Sequence, residues 1–203
     1  MSTHIVLFLK PNLNINTEEL VKKLEESFKD LGEGLILNKE NKNPNYPTFI
    51  FNKNKELLID GNNHHISINI LNEYTKIKDA IIESLWDAFD YNELTFTRVG
   101  YINEYHKNIE NLNDLKEKLL NKNLINDIDE FQISFHNNIK IKRKNINCWK
   151  RFIKMSTTPL IISYDINTKD DTFDEINYKT LKEIIKFSDK YIDEDLIKFI
   201  KED

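Results

Sequence analysis

Hydrophobic residues recur along the chain with two periods, every second residue in short segments and every three to four residues in longer ones. Alternating segments bounded by turn residues predict strands. These are His4–Lys10, Leu35–Asn38, Thr48–Asn52, Glu56–Asp60, His65–Leu71, Leu94–Tyr105, two segments beginning at Phe131 and Ile139, Cys148–Met155 and Leu160–Ile166. In His65–Leu71 the isoleucines share one face and polar residues the other, which is typical of an antiparallel sheet with one solvated side.

Apolar stripes at helical spacing predict five helices. Asn16 and Glu19 form a capping box before the first stripe, Leu20, Val21, Leu24, Phe28 and Leu31, and Gly32 and Gly34 should end this helix. The second, Glu73–Asp90, has an inner face of Ile77, Ala80, Ile81, Ser84, Leu85, Ala88 and Phe89. The others are Asn111–Asn121, Glu175–Lys190 and Asp193–Lys201, with Asp193 as N-cap of the last. Asn137-Asn138 favours a two-residue hairpin turn.

This order of elements lacks the one-to-one alternation of strand and helix that parallel α/β folds show. It predicts an α+β fold, a mainly antiparallel sheet with helices packed on one side. We expect the 203 residues to form a single compact domain, 1–203. An arrangement of two similar β-rich sub-lobes, 1–108 and 109–203, stays open as the alternative.

Three segments carry a family resemblance. They are His65–Leu71 with the following Tyr74 and the helix that contains Trp86, the segment Arg98–Asn103, and the segment Leu160–Asn167. Together they resemble an uncharacterised prokaryotic family of unknown function and sporadic distribution. The chain departs from that pattern, since it lacks two residues between Gly100 and Tyr101 and has Asn167 where a second acid is common. The resemblance implies an architecture and a setting in immunity, toxin neutralisation or phage conflict, but no activity, because fold alone does not determine function.

Charge is distributed unevenly along a chain whose net charge is −5, with 29 basic and 34 acidic residues. Residues 131–164 contain seven basic residues and no acid, whereas residues 165–203 contain seven basic and twelve acidic residues. Such a field steers an oppositely charged partner. The predicted binding residues are Lys140, Lys142, Arg143, Lys144, Trp149, Lys150, Arg151 and Lys154. The alternative is that the lysines form the solvated side of a hairpin and Trp149 belongs to the core.

The sequence contains none of the familiar catalytic or metal-binding motifs. Cys148 is the only cysteine and is expected to be a small core residue in a reducing cytosol. The five histidines lack metal-ligand spacing, and the four glycines are too scattered for a phosphate-binding loop, so neither metal nor cofactor is expected. One enzymatic hypothesis stays open, a site in which Asp165 meets Arg98 or Tyr101.

We therefore expect a non-catalytic, cytosolic binding or inhibitor protein of the immunity, antitoxin or phage-conflict kind. An acidic protein is the expected partner. The alternative is a nucleic-acid or nucleotide-binding module that uses the basic segment 140–154; it is disfavoured by the acidic balance of the whole chain. The first apolar run, Ile5–Leu9, is about five residues long, too short for a signal peptide or a membrane span, so no membrane partner is expected.

Overall fold

A single antiparallel sheet organises the structure. The computed structural model describes residues 1–11, 15–28, 33–36, 47–53, 56–108, 119, 130–141, 144–155, 158–169 and 173–201. Over these residues the strands are β1 Ser2–Leu9, β2 Glu33–Ile36, β3 Phe49–Lys53, β4 Leu57–Gly61, β5 His65–Leu71, β6 Phe96–Lys107, β7 Phe131–Ile141, β8 Lys144–Lys154 and β9 Leu160–Asn167. These nine strands of the described residues lie in the order β2-β3-β4-β5-β1-β6-β9-β8-β7, and every neighbouring pair is antiparallel.

The helices of the described residues all pack on the same face of this sheet. They are α1 Thr17–Ser27, α2 Lys78–Tyr91 and α3 Tyr178–Lys201, and a 3₁₀ helix, Asn72–Ile77, precedes α2. Phe28 at the end of α1 packs on Phe51 of β3, whereas α2 and α3 both reach Tyr101 of β6. The ladder registers place Phe51, Ile59, Ile68, Ile5 and Tyr101 on one face. The predicted α+β fold, an antiparallel sheet with helices on one side, is thus confirmed.

Alternation along the strands gives the sheet two different faces. In β1 the residues Thr3, Ile5, Leu7 and Leu9 are buried, and the residues between them are half-buried. We call the side that carries Ile5 and Tyr101 the helix face. The opposite side, which carries His4 and Asp165, is called the polar face. Burial of the helix face supplies most of the hydrophobic stabilisation, since apolar area removed from water contributes roughly 25 cal/mol per Å².

The predicted start of the first helix is confirmed. Asn16 caps α1 as expected, with its side-chain oxygen accepting from Glu19 N–H at 3.4 Å and its amide donating to the Glu19 carboxylate at 3.0 Å. In the predicted stripe Leu20, Val21, Leu24 and Phe28 are buried, and Leu31 lies outside the described residues. The end of the helix was predicted wrongly, since α1 ends at Ser27, Gly34 lies in β2, and Gly32 is outside the described residues. The predicted helix Asn111–Asn121 lies outside the described residues, apart from Leu119.

Two predicted interruptions, one of a strand and one of a helix, were wrong. The Asn137-Asn138 turn does not form, because β7 continues to Ile141 and pairs there with Lys144. Its apolar residues keep odd positions on both sides of Asn137, so the two-residue period is not interrupted. The two C-terminal helices are one continuous helix, α3, since Ile192 and Leu196 extend its buried stripe past the proposed cap Asp193.

The start of the second helix was also placed wrongly. The first turn is a 3₁₀ helix, whose tighter winding changes the direction of the side chains. Ile77 is 48% exposed, and Ala80 is exposed as well, although both were predicted to face the core. Of the remaining inner-face residues, Ile81, Leu85, Ala88 and Phe89 are buried as predicted, whereas Ser84 is half-buried. Trp86 beside them is buried too.

The two suggested sub-lobes, 1–108 and 109–203, both contribute strands to the same sheet. Strand β6 lies in the segment 1–108 and pairs with β9 of the segment 109–203 over eight positions, from Gly100–Asn167 to Lys107–Leu160.

Two tyrosines attach α3 to the middle of the sheet. Tyr101 donates to Asp189 of α3 at 2.5 Å and accepts from Lys78 of α2 at 2.6 Å, while Lys78 also pairs with Asp189 at 2.7 Å. In the same way Tyr164 donates to Asp195 at 2.5 Å, and Lys150 pairs with that carboxylate at 2.5 Å. Burial is the main cause that raises the pKa of both phenols, and the neighbouring carboxylates add to it. The hydroxyls therefore stay protonated and act as hydrogen-bond donors at neutral pH.

We predict that Tyr101→Phe lowers the free energy of unfolding by about 1–3 kcal/mol, because it leaves the buried Lys78 and the half-buried Asp189 without their shared partner. Urea denaturation measures this change. Tyr105→Phe is the matched control, since Tyr105 lies on the same face of β6 and no described residue hydrogen-bonds its hydroxyl. Equal losses in the two variants would contradict the proposed role of the Tyr101 hydroxyl.

Candidate binding surface

The strands divide the predicted binding residues between the two faces of the sheet. Successive side chains of a strand point to opposite sides, so Lys150 lies on the helix face and its neighbour Arg151 on the polar face. The helix face receives Lys144, Lys150 and Lys154, and the polar face receives Lys140, Trp149 and Arg151. Lys142 and Arg143 lie outside the described residues. The basic segment therefore does not form one continuous patch over its described residues.

The cations of the helix face interact within the fold. Lys150 pairs with Asp195 and lies over the rings of Phe152 and Tyr164. Lys144 lies 5.9 Å from the ring centroid of Phe173. Lys154 donates to the carbonyl oxygens of Met155 at 2.5 Å and Thr158 at 2.8 Å. These contacts use the positive charges to hold neighbouring elements together.

On the polar face, side chains of β7, β8 and β9 form a connected group that we call the aromatic–amide patch. Its members are His136, Asn147, Trp149, Arg151, Asp165 and Asn167. The rings of His136 and Trp149 stack with centroids 4.5 Å apart. Arg151 pairs with Asp165 at 3.0 Å, and the side chains of Arg151 and Asp165 are 29% and 19% exposed.

Amide side chains link the aromatic stack to the ion pair. Asn167 donates to Asp165 at 3.0 Å, and Asn147 donates to Asn167 at 3.4 Å. His136 lies 3.3 Å from the side-chain oxygen of Asn147. Because each side chain is held by a neighbour, the patch presents an aromatic surface and several polar groups in fixed positions. Sequence reasoning identified Trp149 and Arg151 but missed His136, Asn147 and Asn167, which the strand register brings to them.

A second polar group lies on the same face, at β1, β4 and β5. His4 Nε2 is 2.9 Å from the Ser67 hydroxyl, and Asp60 is paired with Ser67 across the ladder. Burial raises the pKa of Asp60, an effect that the nearby His65 and His4 partly offset, and burial lowers the pKa of both histidines. Among the described residues, none hydrogen-bonds or ion-pairs with the Asp60 carboxylate. Burial therefore favours the neutral form of the Asp60 carboxyl group, and its ionised form is less stable in the fold than in the unfolded chain.

The residues of the enzymatic hypothesis do not meet. Tyr101 lies on the helix face and Asp165 on the polar face, because Asp165 pairs with Ile102, the next residue of β6. Arg98 shares the polar face but lies four residues along β6 from Ile102, about 13 Å at the usual strand rise. Its guanidinium carbon is 4.5 Å from the ring centroid of Phe8.

The remaining described features that could indicate an active site are a thiol, the potential metal ligands and a small pocket. Cys148 is a buried core residue, as predicted, and burial raises the pKa of its thiol to about 11. No cluster of three or more potential metal ligands occurs among the described histidines, cysteines and acids. A pocket between α2 and α3 has room for about one water molecule. It is lined by Asp79, Ile82, Tyr178, Lys182 and Ile185.

Comparison with protein-family models and with curated proteins finds no match to this chain. The family resemblance therefore stays a prediction. None of the helices in the described part of the chain combines the length and apolar character needed to cross a lipid bilayer.

We predict that the Cys148 thiol of the native protein reacts with a disulfide reagent at pH 8 about a hundredfold more slowly than in the unfolded chain. A pKa near 11 leaves little thiolate at that pH, whereas an ordinary thiol with a pKa near 8.5 is substantially ionised. Reaction rates in buffer and in denaturant test this. Equal rates would contradict the burial of Cys148.

We predict that Asp60→Asn raises the free energy of unfolding at pH 7. The folded-state pKa of Asp60 is higher than its ordinary value of 3.8, so ionisation favours the unfolded chain as pH rises through the folded-state pKa. The gain should disappear near pH 3, where the carboxyl group is protonated in both states.

Urea denaturation at the two pH values measures this effect. Asp87→Asn is the control, because Asp87 is exposed on α2, and it should change stability little at either pH. A loss of stability in Asp60→Asn at pH 7 would show that the carboxylate makes a favourable interaction in the fold.

Proposed function

We propose that this protein is a non-catalytic binding protein that docks onto another protein through the aromatic–amide patch. The observation that carries the proposal is the stacking of Trp149 on His136 beside the Arg151–Asp165 ion pair, on the face of the sheet that the described helices leave uncovered. The contrast between the two faces supports it. On the helix face, cations hold the fold together, whereas on the polar face hydrogen bonds hold an aromatic and polar surface in place.

The composition of the patch suits protein recognition. Tryptophan and arginine are enriched among the residues that dominate binding energy at protein interfaces. Side chains fixed before binding lose less conformational entropy when the complex forms. Trp149 and Arg151 are two residues apart on β8 and each is held by a neighbouring strand, Trp149 by β7 and Arg151 by β9. They can therefore act together as an anchor.

Charge favours a partner with acidic groups. Within the patch Arg151 is paired with Asp165, whereas the exposed Lys140 lies on the polar face in the same strand as His136 and forms no ion pair with a described acid. Opposite charge on a partner increases the rate of association and fixes orientation. The cytosolic location and the inhibitory role in immunity, toxin neutralisation or phage conflict are parts of the proposal that rest on the lone thiol and on the family resemblance.

The aromatic stack also favours a second candidate function, binding of single-stranded nucleic acid. Bases stack on aromatic side chains, and arginine adds a contact to the phosphate backbone. Such binding weakens steeply as salt rises. The net charge of −5 opposes this function, so we place it second.

We predict that the immobilised protein captures one protein in stoichiometric amount from a native lysate of its source cells. Trp149→Ala and Arg151→Gln should each weaken that complex by about 30-fold, as expected for residues that contribute about 2 kcal/mol to binding. Lys144→Ala is the matched control, since it removes a cation of the same strand from the helix face. Circular dichroism establishes that each variant is folded.

Different outcomes assign different functions. Nuclease-sensitive capture that disappears at high salt would assign the nucleic-acid alternative. Loss of the complex in Lys144→Ala, with full binding by Trp149→Ala and Arg151→Gln, would contradict the assignment of the polar face.

A further inference from the structure

Strand β7 forms a long edge of the sheet. It pairs with β8 at eleven consecutive positions, from Phe131–Lys154 to Ile141–Lys144, without a register shift. Among the described residues, none pairs with its other side. It contains no proline and no glycine. Natural proteins usually shorten, bend or charge such edges to prevent unwanted pairing, and the opposite edge of the described sheet, β2, has four described residues.

Hydrogen bonding elsewhere in the sheet shows which backbone groups of β7 point outward. Leu9 N–H donates to the His64 carbonyl at 2.9 Å, so the odd-numbered residues of β1 bond toward β5. Backbone groups of successive residues alternate between the two neighbours of an antiparallel strand. The pairing registers from β1 through β6, β9 and β8 then determine which residues of β7 bond to β8. Odd-numbered residues of β7 therefore bond to β8, and the even-numbered residues direct their N–H and C=O groups away from it.

The side chains beside this edge differ between the two faces. The even-numbered residues are exposed and polar, and they lie on the polar face: Gln132, Ser134, His136, Asn138 and Lys140. On the helix face Phe135 is 45% exposed, although it packs against Phe152, and Ile133 is half-buried. A strand added at this edge would cover the apolar side chains on one face and meet polar groups on the other.

We propose that β7 receives an extended segment of the partner protein as a tenth strand of the sheet. The inference rests on the proposed docking function and adds the means of binding. The segment carries apolar residues at alternate positions, which cover Phe135 and Ile133, and acidic residues between them, which lie near Lys140. Main-chain hydrogen bonds supply affinity in this mode of recognition, and alternate side chains supply specificity.

Charge distinguishes this partner from a second copy of the chain. Lys140 is the one charged residue within β7 and is exposed on the polar face, and no acid of the described residues forms an ion pair with it. Two copies of β7 paired around a two-fold axis at His136 would place Lys140 opposite Gln132 and His136 opposite itself. Such pairing brings no acidic side chain to either lysine. A partner segment with acidic residues places a carboxylate near Lys140.

Hydrogen exchange of backbone amides, followed by NMR on the full chain, tests the free edge directly. In the protein alone, the amides of Ser134, His136 and Asn138 should exchange at least tenfold faster than those of Ile133, Phe135 and Asn137. Slow exchange of both sets at every protein concentration would show that the chain itself covers the edge and would overturn the proposal. Slow exchange that appears only as protein concentration rises would assign the edge to a second copy and would also overturn it.

Two synthetic nine-residue peptides then serve as probes, one that alternates valine with glutamate and one that alternates valine with lysine. The glutamate peptide should slow exchange at His136 at least tenfold, and the lysine peptide should have a weaker effect. Binding should be lost in the double variant Ser134→Pro, Asn138→Pro, because proline removes outward N–H donors while the ladder to β8 remains. The double variant Ser134→Ala, Asn138→Ala is the matched control and should bind normally.

The remaining outcomes separate the two proposals. If neither peptide slows exchange, or if the proline variant binds as well as the alanine variant, strand addition at β7 is wrong. Docking through Trp149 and Arg151 stands in that case if their variants still lose the captured protein. If those variants keep the captured protein and the proline variant loses it, the edge strand is the binding site and the aromatic–amide patch is not.

Discussion

Side chains of neighbouring residues in an antiparallel strand point to opposite faces, and this constraint determines what each part of the protein can do. It places Ile5, Ile68 and Tyr101 under the helices and His4, Ser67 and Asp165 on the other face. The same alternation separates Lys150 from Arg151, although the two cations are adjacent in the sequence. Basic residues that lie close together in the sequence are therefore divided between the two faces of the sheet. The proposed recognition then depends on which residues share a face and much less on which residues share a segment.

The helix face combines apolar burial with two partly buried polar contacts. Tyr101 and Tyr164 each direct a hydroxyl to an aspartate of α3, and a lysine completes each contact. Buried polar groups are costly unless their partners are present, so these contacts fix the position of α3 more narrowly than apolar packing would. The polar face carries the opposite arrangement, with half-buried groups such as Asp60 that reduce stability.

Local patterns predicted most strands, the cap of α1 and the antiparallel α+β fold, because these depend on residues that are close in sequence. The errors arose where a local signal competed with a longer one. Asn137-Asn138 favours a turn, but the alternation from Phe131 to Ile141 continues through it and the strand forms. Asp193 suits a helix start, yet Ile192 and Leu196 keep α3 packed on the sheet. The candidate surface was predicted in part: Trp149 and Arg151 follow from the sequence, whereas His136 and Asn167 require the pairing of β7, β8 and β9, which no single segment encodes.

The central claim, that recognition uses the polar face, is tested most directly by the fluorescence of Trp149. The chain has two tryptophans, and Trp86 is buried in the core with 5% exposure, so Trp86→Phe leaves Trp149 as the single reporter. Iodide quenching of this variant is measured alone and in the complex with the captured partner. The account predicts that quenching of Trp149 falls strongly when the partner binds. Unchanged quenching in a fully formed complex would contradict it.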